Sequence, residues 1–197
     1  LTTIDIQYNT NVAKSDWYVP VYPATDGALV FGILSEVIAQ GWQDSEFLRA
    51  HTEAPFLVKE DNTFLRMSDL GVPATEGPVN AMTGKPTVID PEVVWDEATR
   101  SAKPYSEAEM PALEGIPEEI EGFRIRPVWS MILEAISAWT PERASETCGV
   151  PVEDIKRLAR MYGQEGPVLT GMNQGLNHYF NAIYTYDSIF TLLLITG

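Results

Sequence analysis

Between Glu53 and Pro127 the chain holds most of its 14 prolines and shows no long helical period. The segments on either side do the opposite and alternate strand-like runs with helical stripes. Near the start, Leu1-Thr2-Thr3-Ile4-Asp5-Ile6 and Trp17-Tyr18-Val19-Pro20-Val21-Tyr22 are extended runs. Pro20 marks the second as an edge or irregular strand. After the turn Pro23–Gly27, the apolar positions Leu29, Val30, Ile33, Leu34, Val37 and Ile38 fall on one stripe of period 3.6, which predicts a helix to about Gln40. Gly41 is a stop, and Asp44 can cap a short helix through Phe47 and Leu48 to His51.

The other flank has the same character. Pro127 opens a helix whose face is Val128, Ile132, Leu133 and Ile136. Thr140-Pro141 is a cap followed by a first-turn proline, with Gly149 as the stop. Pro151 opens a third helix with core positions Val152, Ile155, Leu158, Ala159 and Tyr162, and with Glu153 and Arg157 at i,i+4 on its outer face. Pro167–Thr170 reads as a short buried strand, Gly171–Gly175 as a loop, and about 180–195 as a largely apolar helix. Such alternation predicts an α/β domain, Rossmann-like and three-layered, with a mainly parallel sheet. Residues 1–197 are expected to be a fragment of that one domain.

The middle, residues 53–127, reads as an insertion within it. Phe56–Lys59 and Thr63–Arg66 suggest a hairpin, and Val93–Trp95 and Phe123–Arg126 short strands. Glu107, Glu109, Glu114, Glu118, Glu119 and Glu121 form an acidic stretch without a base, most simply a solvated loop. A long segment this poor in regular pattern usually serves an interface or walls a site.

Charge and composition remove whole classes of function. Thirteen Lys and Arg against 28 Asp and Glu leave a net charge of −15. No basic patch is present to displace counterions from nucleic acid, and an anionic membrane surface repels the chain. The longest apolar run near the end, Leu192–Ile195, is far short of the roughly 20 residues that span a bilayer. One cysteine, Cys148, permits neither an internal disulfide nor a thiolate metal cluster, and it reads as a small apolar residue near a helix end. Both ends read as cut: Leu1 opens directly into a strand with no charged leader before it, and the last helix ends on Gly197. A piece of a larger protein is expected.

No Gly-x-Ser-x-Gly elbow, Walker loop or His-Glu-x-x-His occurs, and the two histidines, His51 and His178, lie far apart. Three features suit a nucleotide site instead. Asp5 stands at the carboxyl end of a strand, where open α/β sheets bind ligands. Thr25-Asp26 starts an apolar helix, and a carboxylate there can accept two parallel bonds from a planar donor pair such as the ring N–H and exocyclic amine of guanine. The glycine loop Thr170–Gly175 lets backbone N–H groups approach an anion or a flat ring. Each has a plainer role open to it: Asp5 as a strand end, Thr25 or Asp26 as a helix cap, Gly171 and Gly175 as chance glycines.

The order of these pieces resembles the molybdopterin oxidoreductase (DMSO reductase) family. Ile4-Asp5-Ile6-Gln7, Ala13–Pro20 and Pro23-Ala24-Thr25-Asp26-Gly27-Ala28-Leu29 are similar to that family's Ile-Asp-Pro-Arg, Ala-Asp-x-x-(Ile/Leu)-Pro and Pro-Gly-Thr-Asp-x-Ala-Leu. Asp44–Leu48 resembles Tyr-Asp-x-x-Phe-(Ile/Leu). Thr147–Pro151, running into Ile155 and Leu158–Arg160, resembles the Thr-Gly-Val-Pro helix. Gly171–Asn181 and Leu192–Gly197 resemble the later glycine loop and Leu-Thr-Gly end. Ala54–Val58 and Val93–Asp96 are similar to the branch holding thiosulfate and polysulfide reductases, acetylene hydratase and aromatic hydroxyl-transferring enzymes.

The resemblance implies a bis(molybdopterin guanine dinucleotide) cofactor carrying molybdenum or tungsten. It implies that Asp26 grips a guanine edge, that Thr25 supports it, and that Asp5 and Gln7 line the same pocket. Gly171, Met172, Asn173 and His178 would approach the pterin side. The parent would transfer an oxygen atom, a hydroxyl or a hydride equivalent. Its implied partners are the remaining domains of the same polypeptide and an iron–sulfur electron-transfer protein chain. The family's metal ligand lies upstream, so this stretch alone is expected to be inactive, without catalytic or metal-ligating residues of its own. Departures are Ile6 and Gln7 for Pro-Arg, which removes a cation from the diphosphate neighbourhood, Ala24 for Gly, and His178 and Ala182 where Arg and Gly are common. The competing expectations are an acidic protein-interaction module without cofactor and a self-contained nucleotide enzyme, the latter lacking a general-base constellation.

Overall fold

The computed structural model describes Leu1–Gly197. In chain order the elements are β1 (Thr2–Asp5), β2 (Trp17–Pro20), α1 (Asp26–Ala39), α2 (Ser45–His51), β3 (Leu57–Lys59), β4 (Thr75–Val79), β5 (Pro86–Ile89), β6 (Val93–Asp96), β7 (Ser101–Pro104), β8 (Glu119–Ile120), β9 (Phe123–Pro127), α3 (Val128–Ser137), α4 (Pro141–Cys148), α5 (Val152–Gly163) and α6 (Ala182–Thr196). The fold is mixed α/β with six helices and small sheets. It forms two compact units: Leu1–Ser45 with Ala135–Gly197, and Glu46–Glu134.

In the first unit β1 and β2 pair in parallel, Thr2 opposite Trp17 through Asp5 opposite Pro20. α1 is the hub, packing on α4, α5 and α6. Leu29, Ile33, Leu34 and Val37 on its predicted stripe are buried. Gly32 permits the closest crossing, since a Cβ there would stand 2.5 Å from the Ala144 Cβ and 3.3 Å from Ile155 Cγ2. The ends of α4 match the sequence reading. Thr140 Oγ1 accepts the Arg143 N–H at 3.2 Å, Pro141 occupies the first turn, and Gly149 closes the helix at φ 77°. Cys148 is fully buried at that end, as a small apolar residue should be.

Three expectations need correction. Parallel pairing is confined to β1 and β2; every other ladder is antiparallel. Pro167–Thr170 is irregular, and Leu169, expected inside, is 98% exposed. A strand needs a neighbour to receive its backbone groups, and no sheet edge pairs with this segment. Arg157 does not pair with Glu153; its guanidinium lies 4.0 Å from the centre of the Trp17 ring.

In the second unit Leu57, Leu65, Val93 and Ile125 form the core, covered by Met67, Leu70, Ile116 and Phe123 among others. The expected hairpin exists as a narrow contact, with a single bridge between Val58 and Phe64 and with Leu65 N–H donating to the Leu57 carbonyl at 2.8 Å. The full ladder partner of β3 is β9, a pairing far apart in sequence. The acidic stretch carries the two-residue strand β8, a 3-10 turn at Tyr105–Glu107 and a single bridge from Pro111 to Asp96. No helix is long and apolar enough to cross a membrane.

Tyr22-Pro23-Ala24-Thr25 is a tight turn closed by Thr25 N–H on the Tyr22 carbonyl at 3.2 Å. Ala24 sits at φ 65°, the left-handed value that a type II turn requires at its third position and that glycine adopts without strain. Ala24→Gly should therefore stabilise the chain by about 0.5 kcal/mol, the relieved strain exceeding the added unfolded-state entropy. Urea unfolding of the two proteins checks it.

Candidate functional site at the β1 end and the start of α1

Asp5 ends β1 and turns the chain. Its Oδ1 accepts the Gln7 N–H at 3.2 Å and its Oδ2 accepts Asn9 Nδ2 at 2.7 Å. Tyr18 Oη donates to the Asp5 carbonyl at 3.2 Å, and Tyr8 packs edge-on against the Tyr18 ring with centres 5.9 Å apart. Gln7 itself is exposed. Thr25 does not cap α1. Its hydroxyl donates back to the Tyr22 carbonyl at 2.7 Å and locks the turn.

Asp26 is the first residue of α1, half-buried and without a salt bridge. Burial raises its pKa above the ordinary carboxylate value; its own backbone N–H opposes the rise, and the charge of nearby Asp5 adds to it. Asp26 in turn bears on Cys148, whose thiol is pushed up first by burial and further by that carboxylate. Two carboxylates thus bear on each other at a corner that supplies no cation. Selection for stability alone would place a neutral residue here.

The sign of the pH effect follows. With a folded pKa above the ordinary 3.8, the protonated form is favoured on folding. Stability tied to Asp26 is complete below the ordinary value and is lost as pH rises through the raised one. Asp26→Asn is therefore expected to be more stable than the wild type at pH 7, by about 0.5 kcal/mol once solvent screening is counted. The gap should close on acidification into the ordinary carboxylate range. Denaturant unfolding at the two pH values measures it.

Behind the turn, Asn181 at the entry to α6 donates from Nδ2 to the Ala24 carbonyl at 3.0 Å. Its Oδ1 is buried with no partner. Orphaned acceptors of this kind are uncommon and call for an occupant. Sequence reasoning misses both Asn181 and Tyr22. The first carries no motif signal, and the second merely precedes the Pro-x-Thr-Asp run.

The residues expected on the pterin side form a separate group. Gly171 stands in open space, and Met172 is half-buried. Asn173 Oδ1 caps the Gln174 N–H at 2.7 Å, while its carbonyl accepts Tyr186 Oη at 3.3 Å. His178 is exposed at the end of a 3-10 turn, Gln174–His178. No hydrogen bond, ion pair or ring contact joins these four to Asp5, Gln7, Thr25 or Asp26; the link between the groups is Asn181 on Ala24. No set of three His, Cys, Asp or Glu side chains converges in a way that could hold a metal ion.

A half-buried uncompensated carboxylate, a second carboxylate, a rigid turn and an orphaned acceptor make an acceptor-rich corner on an α/β fold. That set suits a neutral, donor-rich heterocycle edge and offers nothing cationic for a phosphate. No protein-family model matches the chain. It is similar to the alpha subunit of perchlorate reductase from Dechloromonas aromatica, 26% identical across 100% of this chain and 24% of that protein. A sulfite dehydrogenase chain from Allochromatium vinosum is 30% identical across 77% of this chain and 15% of that protein. The alpha subunit of chlorate reductase from Ideonella dechloratans is 28% identical across 81% and 17%. Acetylene hydratase from Pelobacter acetylenicus shares the fold, with a TM-score of 0.57 at 13% identity, covering 100% of this chain and 17% of that one. The chain belongs to the molybdopterin oxidoreductase (DMSO reductase) family, as its ordered motifs suggested. It spans about a quarter or less of the length of these relatives.

Proposed function

We propose that residues 1–197 are a cofactor-binding part of the catalytic polypeptide of a molybdenum or tungsten oxidoreductase. In this proposal the Asp26 corner holds one guanosine end of bis(molybdopterin guanine dinucleotide), and residues 53–127 are an insertion within that domain. The observation that carries the proposal is Asp26 itself. Its carboxylate is half-buried, unpaired with any cation and raised in pKa, with only its own backbone N–H working against the rise.

The residues of the corner have distinct tasks. The Asp26 carboxylate accepts the ring N–H and exocyclic amine of guanine, two parallel charge-assisted bonds that adenine cannot offer. Thr25 keeps the turn closed, and Asn181 holds it from behind by the Ala24 carbonyl. Asp5, held by the Gln7 N–H and Asn9 Nδ2, is assigned to the edge of the guanine site at the sheet tip. Diphosphate recognition falls to other parts, since Ile6 and Gln7 bring no positive charge. Gly171, Met172, Asn173 and His178 are assigned to the pterin side. When bound, the cofactor supplies the metal's redox cycle for transfer of an oxygen atom, a hydroxyl or a hydride equivalent. This chain's part is to orient the cofactor.

Partners follow from the same proposal. The remaining domains of the polypeptide are taken to cover the outer face of α6, where Ile183, Tyr184 and Phe190 stand exposed, together with Phe180 just before the helix. An iron–sulfur subunit is the proposed electron partner, in keeping with relatives named as subunits.

Titration of the chain with GMP tests the site. Asp26→Asn exchanges one acceptor for a donor, and should weaken GMP about 10- to 100-fold while leaving AMP nearly unchanged. Equal GMP binding by both proteins overturns the assignment. Metal analysis of the full-length parent is the second arm: it should carry molybdenum or tungsten, and a folded parent with neither refutes the cofactor proposal.

A further inference from the structure

We propose that Tyr22 is the stacking platform for the purine base at this corner, an affinity element beside the base-selecting Asp26; the inference rests on the guanosine assignment above. Tyr22 is the first residue of the turn that ends at Thr25, so the turn brings its Cα within about 7 Å of the Thr25 Cα. Its backbone is pinned twice: its N–H donates to the Cys148 carbonyl at 2.9 Å, and its carbonyl accepts the Thr25 hydroxyl at 2.7 Å.

The ring is pinned as well. A Cβ added at Gly149 would lie 2.5 Å from Tyr22 Cζ, 2.7 Å from Cε1 and 2.8 Å from Cε2. The hydroxyl oxygen is not among the three nearest atoms, so the glycine meets the face of the ring and not its edge. One face of Tyr22 therefore lies on Gly149, which is glycine for two reasons: its φ of 77° and the absence of room for any side chain. Even so, Tyr22 is 59% exposed. A tyrosine whose backbone and inner face are both fixed, with its outer face open to water, is an oriented aromatic surface on the same turn that leads into Asp26, a half-buried carboxylate without a cation partner. A flat heterocycle resting on that surface would present its donor edge toward Asp26. Aromatic stacking is tolerant of base identity, whereas a carboxylate on the Watson–Crick edge selects guanine.

The platform and the reader are separable by variants. Tyr22→Phe keeps the ring, Tyr22→Leu keeps apolar cover on Gly149 without a π face, and circular dichroism melts confirm that each folds. GMP and AMP are titrated into the full chain and followed by the upfield shift of the base H8 proton in NMR. Tyr22→Phe should bind both nucleotides within about threefold of wild type and keep the ring-current shift. Tyr22→Leu should weaken both by the same factor, about 5- to 100-fold, and abolish the shift. Asp26→Asn should weaken GMP selectively. If Tyr22→Leu binds GMP as wild type does while Asp26→Asn is impaired, the platform is overturned and the guanine assignment stands. If wild type gives no saturable GMP signal at any soluble concentration, both fall.

Discussion

Trp129→Ala should destabilise the unit Glu46–Glu134 by about 3–5 kcal/mol, the range for removing a large aromatic from a packed interior. Trp129 is 2% exposed and is the largest of the fully buried side chains. Three bonds locate it: its backbone N–H donates to the Ala54 carbonyl at 2.9 Å, its indole Nε1 donates to Glu114 at 3.0 Å, and the preceding Val128 N–H donates to the Phe56 carbonyl at 2.9 Å. These tie the first turn of α3 to the approach to β3. Removing the indole empties a cavity that the backbone contacts prevent from collapsing, so little of the loss is recovered. Glu114→Ala separates packing from hydrogen bonding. It leaves the indole in place with its N–H turned to an exposed position, and should cost about 1 kcal/mol. Denaturant unfolding followed by near-ultraviolet circular dichroism reports both. Equal effects from the two substitutions would mean that the hydrogen bond, and not the burial, carries the site.

How far the sequence foretold this molecule depended on the range of the forces involved. α1, α4 and α5 were legible because their signals are local: a stripe of period 3.6, Thr140 followed by Pro141, and Gly149 at the stop. The pairing of β3 with β9 was not legible, since nothing in Leu57–Lys59 names a partner near Ile125. Pro167–Thr170 failed for the same reason in reverse, as its composition suits a strand but no edge receives it. At the candidate site, the motif order located Asp5, Thr25 and Asp26, but the state of Asp26 is a three-dimensional fact. Its raised pKa depends on burial at the start of α1 and on where Asp5 comes to rest. Ala24 shows the two levels together: the substitution of alanine for glycine was visible in the sequence, and its left-handed backbone only in the fold.

Asp96 is the other residue whose role could not be read beforehand, and its loss should be the second large effect. The run Val93-Val94-Trp95 announced a strand, and nothing announced that the acid closing it would be 0% exposed. The carboxylate is saturated with donors: Lys103 Nζ at 2.9 Å, Thr99 Oγ1 at 2.7 Å and the Met110 N–H at 2.9 Å. It thereby fastens the β6–β7 hairpin to the chain around Pro111. The Lys103 bond above all, then Met110 and Thr99, hold its pKa well below the usual carboxylate range, against the desolvation that opposes them. Asp96→Ala leaves the ammonium of Lys103 and two further donors without their acceptor, which is the costly way to break a buried pair. A fall in melting temperature on the order of 10 °C is expected at pH 7. The pH profile identifies the cause. Because the folded pKa is depressed, the stabilisation by Asp96 is complete above the ordinary value of 3.8 and is lost as pH falls through the folded value. Wild type should therefore lose stability more steeply than Asp96→Ala on acidification below that ordinary value, and the two melting curves should converge. A gap that stays constant down to the acid limit would show that Asp96 contributes by shape and not by charge.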